Sequence, residues 1–432
     1  MPTILGFAAL FLLATDALNM ELSLLPGMSA KNLIIYMIAV VLALRMVVSR
    51  TSVTAVGQMQ GAFIIQIGYA IVTWLIAALV IRYPYYDMVA SGIKLKSGLI
   101  DHYIFFLVFL FGVHTSEDAL KVIKGLLFGA LLANIITILD AAGIISLGFR
   151  IREDGRTAGA IGESNQYAAF ILLFLPATIA AAVASRGFGR LFWFAATLIG
   201  CMTMVMTASR GGFVGLAMMC AVGAYLYRHL ISYSRISGWV FGSLILLVLV
   251  ISFSHYGNLL AERIIGTGSI DANTASSGRS DIWAEALGVM FSHPITFITG
   301  FGWDAYAYMP FQFSPHNHYL ALWFNLGLVG LFFGSYLLFS AINRARRASL
   351  HADKQYRGQL IAFVLGTVGV ATAVFFVDLH KPWFYFWMYA GVAIRLVLIA
   401  ERNPVAETAR PKLKRHAPQR DPFGWAQPES RS

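Results

Sequence analysis

The chain has 432 residues, of which 58% are hydrophobic and 12% are charged, and its mean hydropathy is +0.70. Soluble domains carry about 25% charged residues, so this composition excludes a soluble globular protein and predicts a polytopic membrane protein. The formal net charge of +11 does not indicate a nucleic-acid partner, because the cations fall in short loops and in the tail rather than on one basic face.

About twelve apolar segments are predicted to cross the membrane, since a hydrocarbon core of about 30 Å takes roughly 20 apolar residues. They begin near Ile4, Leu33, Ala62, Leu99, Val122, Tyr167, Leu191, Phe213, Trp239, Tyr319, Leu360 and Phe384. The first segment contains Asp16 and the fourth follows a mixed stretch, so these two have the weakest apolar signal. The first twenty residues lack the basic segment of a signal peptide, which favours a retained first span.

The fold class is therefore predicted to be all-α, with one transmembrane domain over residues 1–400. Residues 401–432 form a basic tail that we expect to be disordered and cytoplasmic, because prolines are interspersed with charges along it. Cys201 and Cys220 both fall inside predicted spans. Their positions argue against a disulfide framework and against a thiolate metal site.

Lysines and arginines in short loops predict the orientation, because such loops stay in the cytoplasm. Basic clusters follow the tenth and twelfth spans, and the earlier basic loops agree with them, so both termini are predicted to be cytoplasmic. The exceptions are Arg82, Lys94 and Lys96, which fall in an outer loop. These three cations weaken the orientation slightly, or they form a surface for anionic lipid or glycan.

This orientation places four polar segments on the outer face, namely residues 152–166, 209–212, 255–317 and 378–382. The third is the one long polar break in the chain, and we expect it to form a loop with short helices between spans nine and ten. A membrane chain with such an insertion is predicted to bind or transform something outside the bilayer.

Arg210 lies at a tight turn between two spans, directly before Gly211 and Gly212. Its planar guanidinium matches the geometry of a phosphate, and the two glycines allow backbone N–H groups to approach the same oxygens. The alternative is an arginine that extends to the lipid head groups.

Arg279 begins a helix-like stretch, and Trp283 follows four residues later on the same face. The pair could hold a phosphate while the indole packs against a sugar or a lipid. The alternative is a surface helix in which Arg279 pairs with Asp281 or Glu285.

His316 lies where the long loop returns to the bilayer, and a neutral imidazole there could take a proton from a sugar hydroxyl. The alternative is a hydrogen-bonded structural histidine. His318 is two residues away, which makes a poor chelating pair on a helix. With no HExxH, DxD or paired-cysteine pattern, no metal is expected.

Two further groups of residues are candidates for binding sugar. Asn165 belongs to the polar stretch 159–166, which could bind sugar hydroxyls or could cap the following helix. The aromatic residues of the long loop could form a sugar platform or an interfacial belt, and they are Tyr306, Tyr308, Phe311 and Phe313.

Together these segments resemble the bacterial superfamily of O-antigen ligases and O-antigen polymerases, integral membrane glycosyltransferases of a GT-C-like type. The resemblance covers roughly residues 157–339. It rests on residues 162–166 and 209–212, Gly278-Arg279 with Trp283, Pro294, residues 300–302, His316-Asn317, Tyr319-Leu320 and Gly327-Leu328.

The resemblance implies a glycosyltransferase that needs no metal or other cofactor and works on the periplasmic face of the bacterial inner membrane. The implied donor is a glycan on undecaprenyl diphosphate. The implied acceptor is a hydroxyl of lipid A-core in the ligases, or of another lipid-linked repeat unit in the polymerases. Membrane lipids surround both substrates.

Arg210 and Arg279 match the arginines that are thought to hold the diphosphate, and His316 matches the histidine near the reacting centre. Gly211, Gly212, Trp283, Asn317, Asn165 and Tyr319 are the accompanying predicted substrate-binding residues. Two guanidinium ions can stabilise the charge on a diphosphate leaving group. A direct displacement with His316 as base would invert the anomeric centre and needs no carboxylate pair.

Three functions remain as hypotheses from the sequence. Ligation of O-antigen to lipid A-core in lipopolysaccharide biosynthesis stands ahead of polymerisation of O-antigen or exopolysaccharide units, although no residue separates the two. A transporter or flippase for lipid-linked glycan is the alternative from another class. The absence of a visible inverted repeat and the one-sided placement of candidate residues argue against transport.

Overall fold

The computed structural model describes residues 1–20, 22–48, 57–147, 155–161, 163–229, 278–311 and 314–402. The ninth predicted span near Trp239, the first part of the 255–317 loop and residues 403–432 of the basic tail lie outside the described residues. The number of twelve spans and the disorder of the tail therefore stay predictions.

The described chain is built almost entirely from helices. They are α1 (Pro2–Ala17), α2 (Ala30–Val48), α3 (Gly57–Leu75), α4 (Met88–Leu95), α5 (Asp101–Phe111), α6 (Ser116–Ala141), α7 (Ser164–Ala184), α8 (Gly187–Thr207), α9 (Arg210–Leu226), α10 (Arg279–Ser292), α11 (Pro294–Thr299), α12 (His318–His351), α13 (Lys354–Ala373) and α14 (Lys381–Arg402). Short π-helices extend α3 over Ile76–Ile81 and precede α5 over Lys96–Ile100, and a 3-10 turn covers Ala305–Tyr308.

The strands in the described chain are β1 (Ser23–Leu25) and β2 (Met28–Ser29), which form one short antiparallel hairpin. Seven helical segments of the described chain are long and apolar enough to cross a membrane, and α1 and α9 are shorter apolar helices. The helical prediction is therefore confirmed at the level of fold class. The small hairpin between α1 and α2 was not expected.

Glycines allow the central helices to approach closely. A Cβ on Gly366 of α13 would lie 2.5 Å from the Leu173 carbonyl oxygen of α7, and one on Gly391 of α14 would lie 2.6 Å from the Phe106 carbonyl oxygen of α5. Helix association in lipid depends on such close packing, because the lipid tails are as apolar as the side chains. The main hydrophobic core runs through α1, α5, α6, α7, α13 and α14.

The candidate residues collect at one end of the bundle, which we name the site end. It is formed by the N-termini of α7, α9, α12 and α14 and by the C-termini of α8 and α13. At the opposite end, Arg344 pairs with Glu401 at 3.1 Å and Tyr227 contacts Ser349 at 3.3 Å.

Two of the three cations in the predicted outer loop have acidic partners. Lys94 pairs with Asp304 at 2.8 Å, and Lys96 pairs with Asp101 at 2.9 Å. Arg82 instead donates to the carbonyl oxygen of Leu79 at 3.0 Å. Lys94 and Lys96 therefore pair with acidic side chains of this protein, and their placement on the outer face stays a prediction.

Candidate functional site

The turn before α9 is tied to the start of α7 by a buried polar network. Ser209 caps α9 by accepting from the Gly212 N–H at 3.2 Å, and its hydroxyl donates to Asn165 Oδ1 at 2.8 Å. Arg156, which is 6% exposed, donates to the same Asn165 oxygen at 2.8 Å and to the Thr207 carbonyl at 2.9 Å. The network fixes where Arg210 begins its helix.

Asn165 is held from the other side by the cap of α7. Glu163 accepts from the backbone N–H groups of Asn165 and Gln166 at 3.3 and 3.2 Å, and from Asn165 Nδ2 at 2.8 Å. The helix-capping interpretation of this stretch is thus seen directly. Gly162 lies outside the described residues.

Gly211 and Gly212 are both buried against neighbouring side chains. A Cβ on Gly211 would lie 2.6 Å from Phe376 Cβ, and a Cβ on Gly212 would lie 2.7 Å from Ala168 Cβ. Close packing therefore requires small residues here. Access of their N–H groups to a phosphate stays a prediction, and the Gly212 N–H already faces the Ser209 cap.

The loop between α13 and α14, residues 374–380, joins the separate parts of the site end. Phe376 packs on Gly211, and the His380 N–H donates to Gln166 Oε1 at 3.1 Å. The Val374 carbonyl accepts from the His318 N–H at 2.9 Å. The starts of α7, α9 and α12 are therefore all held by this 374–380 loop.

The α10 helix reaches the same region through its tryptophan. Trp283 Nε1 donates to the Pro315 carbonyl at 2.7 Å, one residue before His316. Arg279 is the first residue of this helix, after Gly278 with φ +79°. The structure thus connects the helix that carries Arg279 to the segment that carries His316.

The Gly300–Gly302 segment docks on a break in α12. The N–H groups of Phe301 and Gly302 donate at 2.9 Å to the carbonyls of Phe324 and Asn325. Gly327 leaves helical geometry at φ +63°, ψ −165°, so α12 is kinked here. The backbone N–H groups of the loop thus bond to carbonyls at the break in α12. The Gly300–Gly302 segment therefore has a structural role.

His316 lies on strained backbone at the start of α12. It is half-buried with φ +45°, a region where His, Asn and Asp are more common than other residues. Its N–H faces Ser314 Oγ at 3.5 Å, and Ser314 donates to Asp378 Oδ2 at 2.7 Å. Asn317 caps α12 by accepting from the Leu320 N–H at 3.1 Å.

Tyr319 points away from the turn and toward α13. Its hydroxyl donates to the Ala371 carbonyl at 2.9 Å, and its ring lies 4.5 Å from that of Phe375. This side chain therefore holds α12 against α13, and a substrate contact for it stays a prediction.

A cavity of about 580 Å³ opens at the site end between α5, α12, α14 and the long loop. The polar side chains that line it include Lys94, His102, Asp304, Ser314, His318, Asn325, Asp378, His380 and Trp383. Among the described residues, His316, Arg210 and Arg279 are not part of this lining. Pro315, the residue before His316, does line it, so the cavity lies beside the His316 segment.

Lys94 and Asp304 form a salt bridge, and both side chains line the cavity. Burial raises the pKa of the Asp304 carboxyl above its usual value, and the ammonium of Lys94 opposes that shift. The Lys94 ammonium also lies 5.9 Å from the centre of the Tyr308 ring. The rings of Tyr306 and Phe311 are tilted against each other with their centres 4.6 Å apart, and both side chains line the cavity, whereas Phe313 lies outside the described residues.

Several residues at the site end escaped the sequence analysis. His102 and Arg156 are polar side chains that the fold buries, and an ionisable residue inside an apolar run is a signal that could have found His102. His318 was set aside as a chelator, although it lines the cavity. His380 belongs to the polar segment 378–382, which was predicted to lie on the outer face but was given no role. Trp383 carries no local signal, because only the fold brings it to α12.

Residues 195–334 match a family model described as O-antigen ligase. An uncharacterised protein of Haemophilus influenzae is 27% identical over 32% of this chain, and the match covers 39% of that relative, which is less than two thirds of its length. The matched family segment runs from α8 into α12 and includes Arg210, Arg279 and His316. This match covers less than half of the chain, so the chain is similar to the O-antigen ligase family over residues 195–334, and its long apolar helices indicate an integral membrane protein.

Proposed function

We propose that this protein is an inverting glycosyltransferase that moves a glycan from undecaprenyl diphosphate to a sugar hydroxyl, with lipid A-core as the acceptor. The observation that carries the proposal is a set of contacts that link the neighbours of the three candidate residues. Gly211, next to Arg210, packs on the 374–380 loop, and Ser314 and His318, on either side of His316, bond to that loop. The α10 helix, which begins at Arg279, reaches Pro315 through Trp283, and all three candidate residues lie within the O-antigen ligase match. The periplasm is the proposed side, because the basic loops lie at the opposite end.

The proposed reaction is one displacement. The acceptor oxygen attacks the anomeric carbon, the bond from that carbon to the diphosphate oxygen breaks, and the hydroxyl proton passes to the His316 imidazole. The bonding pair leaves on the diphosphate, whose charge Arg210 and Arg279 stabilise. Fixed cations act strongly on such charge in a partly dry site, so the leaving group needs no protonation.

Ligation and polymerisation share this donor and this displacement, and they differ in the acceptor. The test is a deletion of the gene in its source bacterium, followed by analysis of lipid-linked and lipid A-linked glycan. Loss of lipid A-linked polymer with accumulation of lipid-linked polymer is the expected result. Products of a single repeat unit would identify a polymerase instead, and an unchanged glycan profile would contradict both.

A second assay separates transfer from transport. Protein purified in detergent should release undecaprenyl diphosphate from a lipid-linked donor when acceptor is added, because no membrane has to be crossed. A protein that moves the donor between leaflets of a vesicle but never releases the carrier would be a flippase.

A further inference from the structure

Three buried polar atoms of side chains that line the cavity lack hydrogen-bond partners within the described part of the chain. They are His102 Nε2, Asp378 Oδ1 and Trp383 Nε1, and all three side chains line the same cavity. His102 and Trp383 are each 5% exposed. A buried polar atom without a partner costs about 1–3 kcal/mol, so three of them around one cavity indicate a ligand that supplies the missing bonds.

The walls of the cavity hold these atoms in place. The His102 ring lies 4.7 Å from the Phe384 ring at an interplanar angle of 73°, and the Trp383 ring lies 5.1 Å from the His318 ring. Asp378 is fixed through its other oxygen, which accepts from Ser314 at 2.7 Å. A rigid site with a few placed polar groups between aromatic walls is typical of small-ligand pockets.

The hydrogen-bonding roles of the three atoms indicate which kind of ligand fits the cavity. The indole N–H donates, the carboxylate oxygen accepts, and the imidazole nitrogen can accept when neutral. A sugar ring carries hydroxyls that both donate and accept, and its C–H face packs on aromatic rings. A carboxylate oxygen in the lining disfavours a phosphate or an acidic sugar at this point, because like charges repel.

We propose that this cavity is a saccharide subsite that binds one uncharged, hydroxyl-bearing sugar of the glycan, next to and separate from the diphosphate site. The volume of about 580 Å³ falls within the range of roughly 300–1,000 Å³ that is usual for ligand pockets. The proposal rests on the proposed function for the identity of the glycan. Its residues are His102, Asp378 and Trp383.

The test measures binding of phosphate-free oligosaccharide to the purified protein in detergent by isothermal titration calorimetry. One probe is the glycan released by mild acid from the lipid-linked donor of the source bacterium, and the other is the core oligosaccharide released from lipid A. Binding of the first probe assigns the subsite to the donor, and binding of the second assigns it to the acceptor.

Substitutions then locate the binding. Trp383→Phe, Asp378→Asn and His102→Phe should each weaken the affinity for the bound probe about tenfold. Trp193→Phe, which alters a buried tryptophan of α8 away from the cavity, should leave it unchanged. Ala307→Trp should also block binding without disturbing the core, because Ala307 is exposed and lines the cavity.

The outcomes separate this proposal from the proposed function. Arg279→Ala should lose transfer but keep oligosaccharide binding, since the probes carry no diphosphate. Binding without transfer by the wild type would leave the subsite intact and contradict the proposed function. Absence of binding by both probes, or unchanged affinity in the cavity variants and in Ala307→Trp, would mean that the cavity holds water alone and would overturn the subsite.

Discussion

At the scale of single residues, Arg210 and Arg279 reach the site end from two different helices, α9 and α10. Charge-assisted hydrogen bonds contribute about 1.5–3 kcal/mol, and about 1.4 kcal/mol in activation free energy is tenfold in rate. We therefore expect Arg210→Ala and Arg279→Ala each to lower turnover at least tenfold. Lysine should rescue poorly because it lacks the planar fork. The measurement is release of undecaprenyl diphosphate at matched protein levels.

Arg228→Ala is the matched control for this pair. Arg228 is exposed just beyond the other end of α9, where it lies 5.7 Å from the Tyr225 ring. Its removal should leave turnover unchanged. Near-normal turnover in Arg210→Ala or Arg279→Ala would remove that arginine from the diphosphate site.

The two histidines at the start of α12, His316 and His318, are expected to have different roles. His316 is the proposed base, whereas His318 lines the cavity and donates its backbone N–H to Val374. His316→Asn should abolish transfer while keeping the fold, because asparagine also tolerates the left-handed backbone at φ +45°. Rates of transfer and melting temperatures of the two single variants provide the measurement.

His318→Asn serves as the comparison. If it lost transfer completely while His316→Asn kept wild-type rates, the base would be His318 and the assignment from the sequence would be wrong. A partial loss confined to KM in His318→Asn is the result we expect from a residue that only lines the cavity.

At the scale of elements, the contact between the Gly300–Gly302 segment and α12 depends on two glycines. A Cβ on Gly300 would lie 2.4 Å from the Asn325 carbonyl oxygen, and one on Gly327 would lie 2.1 Å from the Ile298 carbonyl oxygen. Both positions also have positive φ. Gly300→Ala and Gly327→Ala should each lower the melting temperature and expose the long loop to protease, because the backbone cannot move aside.

Gly288→Ala in α10 is the control for these substitutions. Beyond its own helix, no atom of the described residues lies within 4 Å of a Cβ built at this exposed helical glycine. Alanine in a helix interior is favoured over glycine by about 0.5–1 kcal/mol, so this variant should be neutral or slightly stabilised. Equal melting temperatures for all three variants would show that the docking contributes nothing.

Asn165 belongs to the hydrogen-bond network that joins the starts of α7 and α9, so its substitution is expected to affect both stability and transfer. Asn165→Ala would remove partners from Arg156, Ser209 and Glu163, and a buried polar group left without a partner costs about 1–3 kcal/mol. We expect a lower melting temperature together with a lower transfer rate, since Arg210 begins its helix at this network. A raised KM with an unchanged melting temperature would instead support the substrate contact predicted from the sequence.

At the scale of the whole molecule, hydropathy and flanking charges predicted the helical fold and the grouping of candidate residues, because both follow from local composition. The close fit of Gly211 on Phe376 and the docking of Gly302 on Asn325 join residues far apart in the chain. Such contacts leave no periodic signal. For the same reason the cavity residues His102 and Trp383, which belong to different helices, could not be paired from the sequence.

The orientation of the helix bundle in the membrane is predicted to place the site end outside the cytoplasm, and cysteine labelling can test it. Ser280→Cys lies on α10 at the site end and His351→Cys lies at the far end of α12, where it is exposed. In a background that lacks Cys201 and Cys220, a membrane-impermeant maleimide should label Ser280→Cys in intact cells. His351→Cys should react only after permeabilisation, because basic residues keep that end in the cytoplasm. The reverse pattern would place Arg210, Arg279 and His316 in the cytoplasm, where transfer to lipid A-core on the outer face would be impossible.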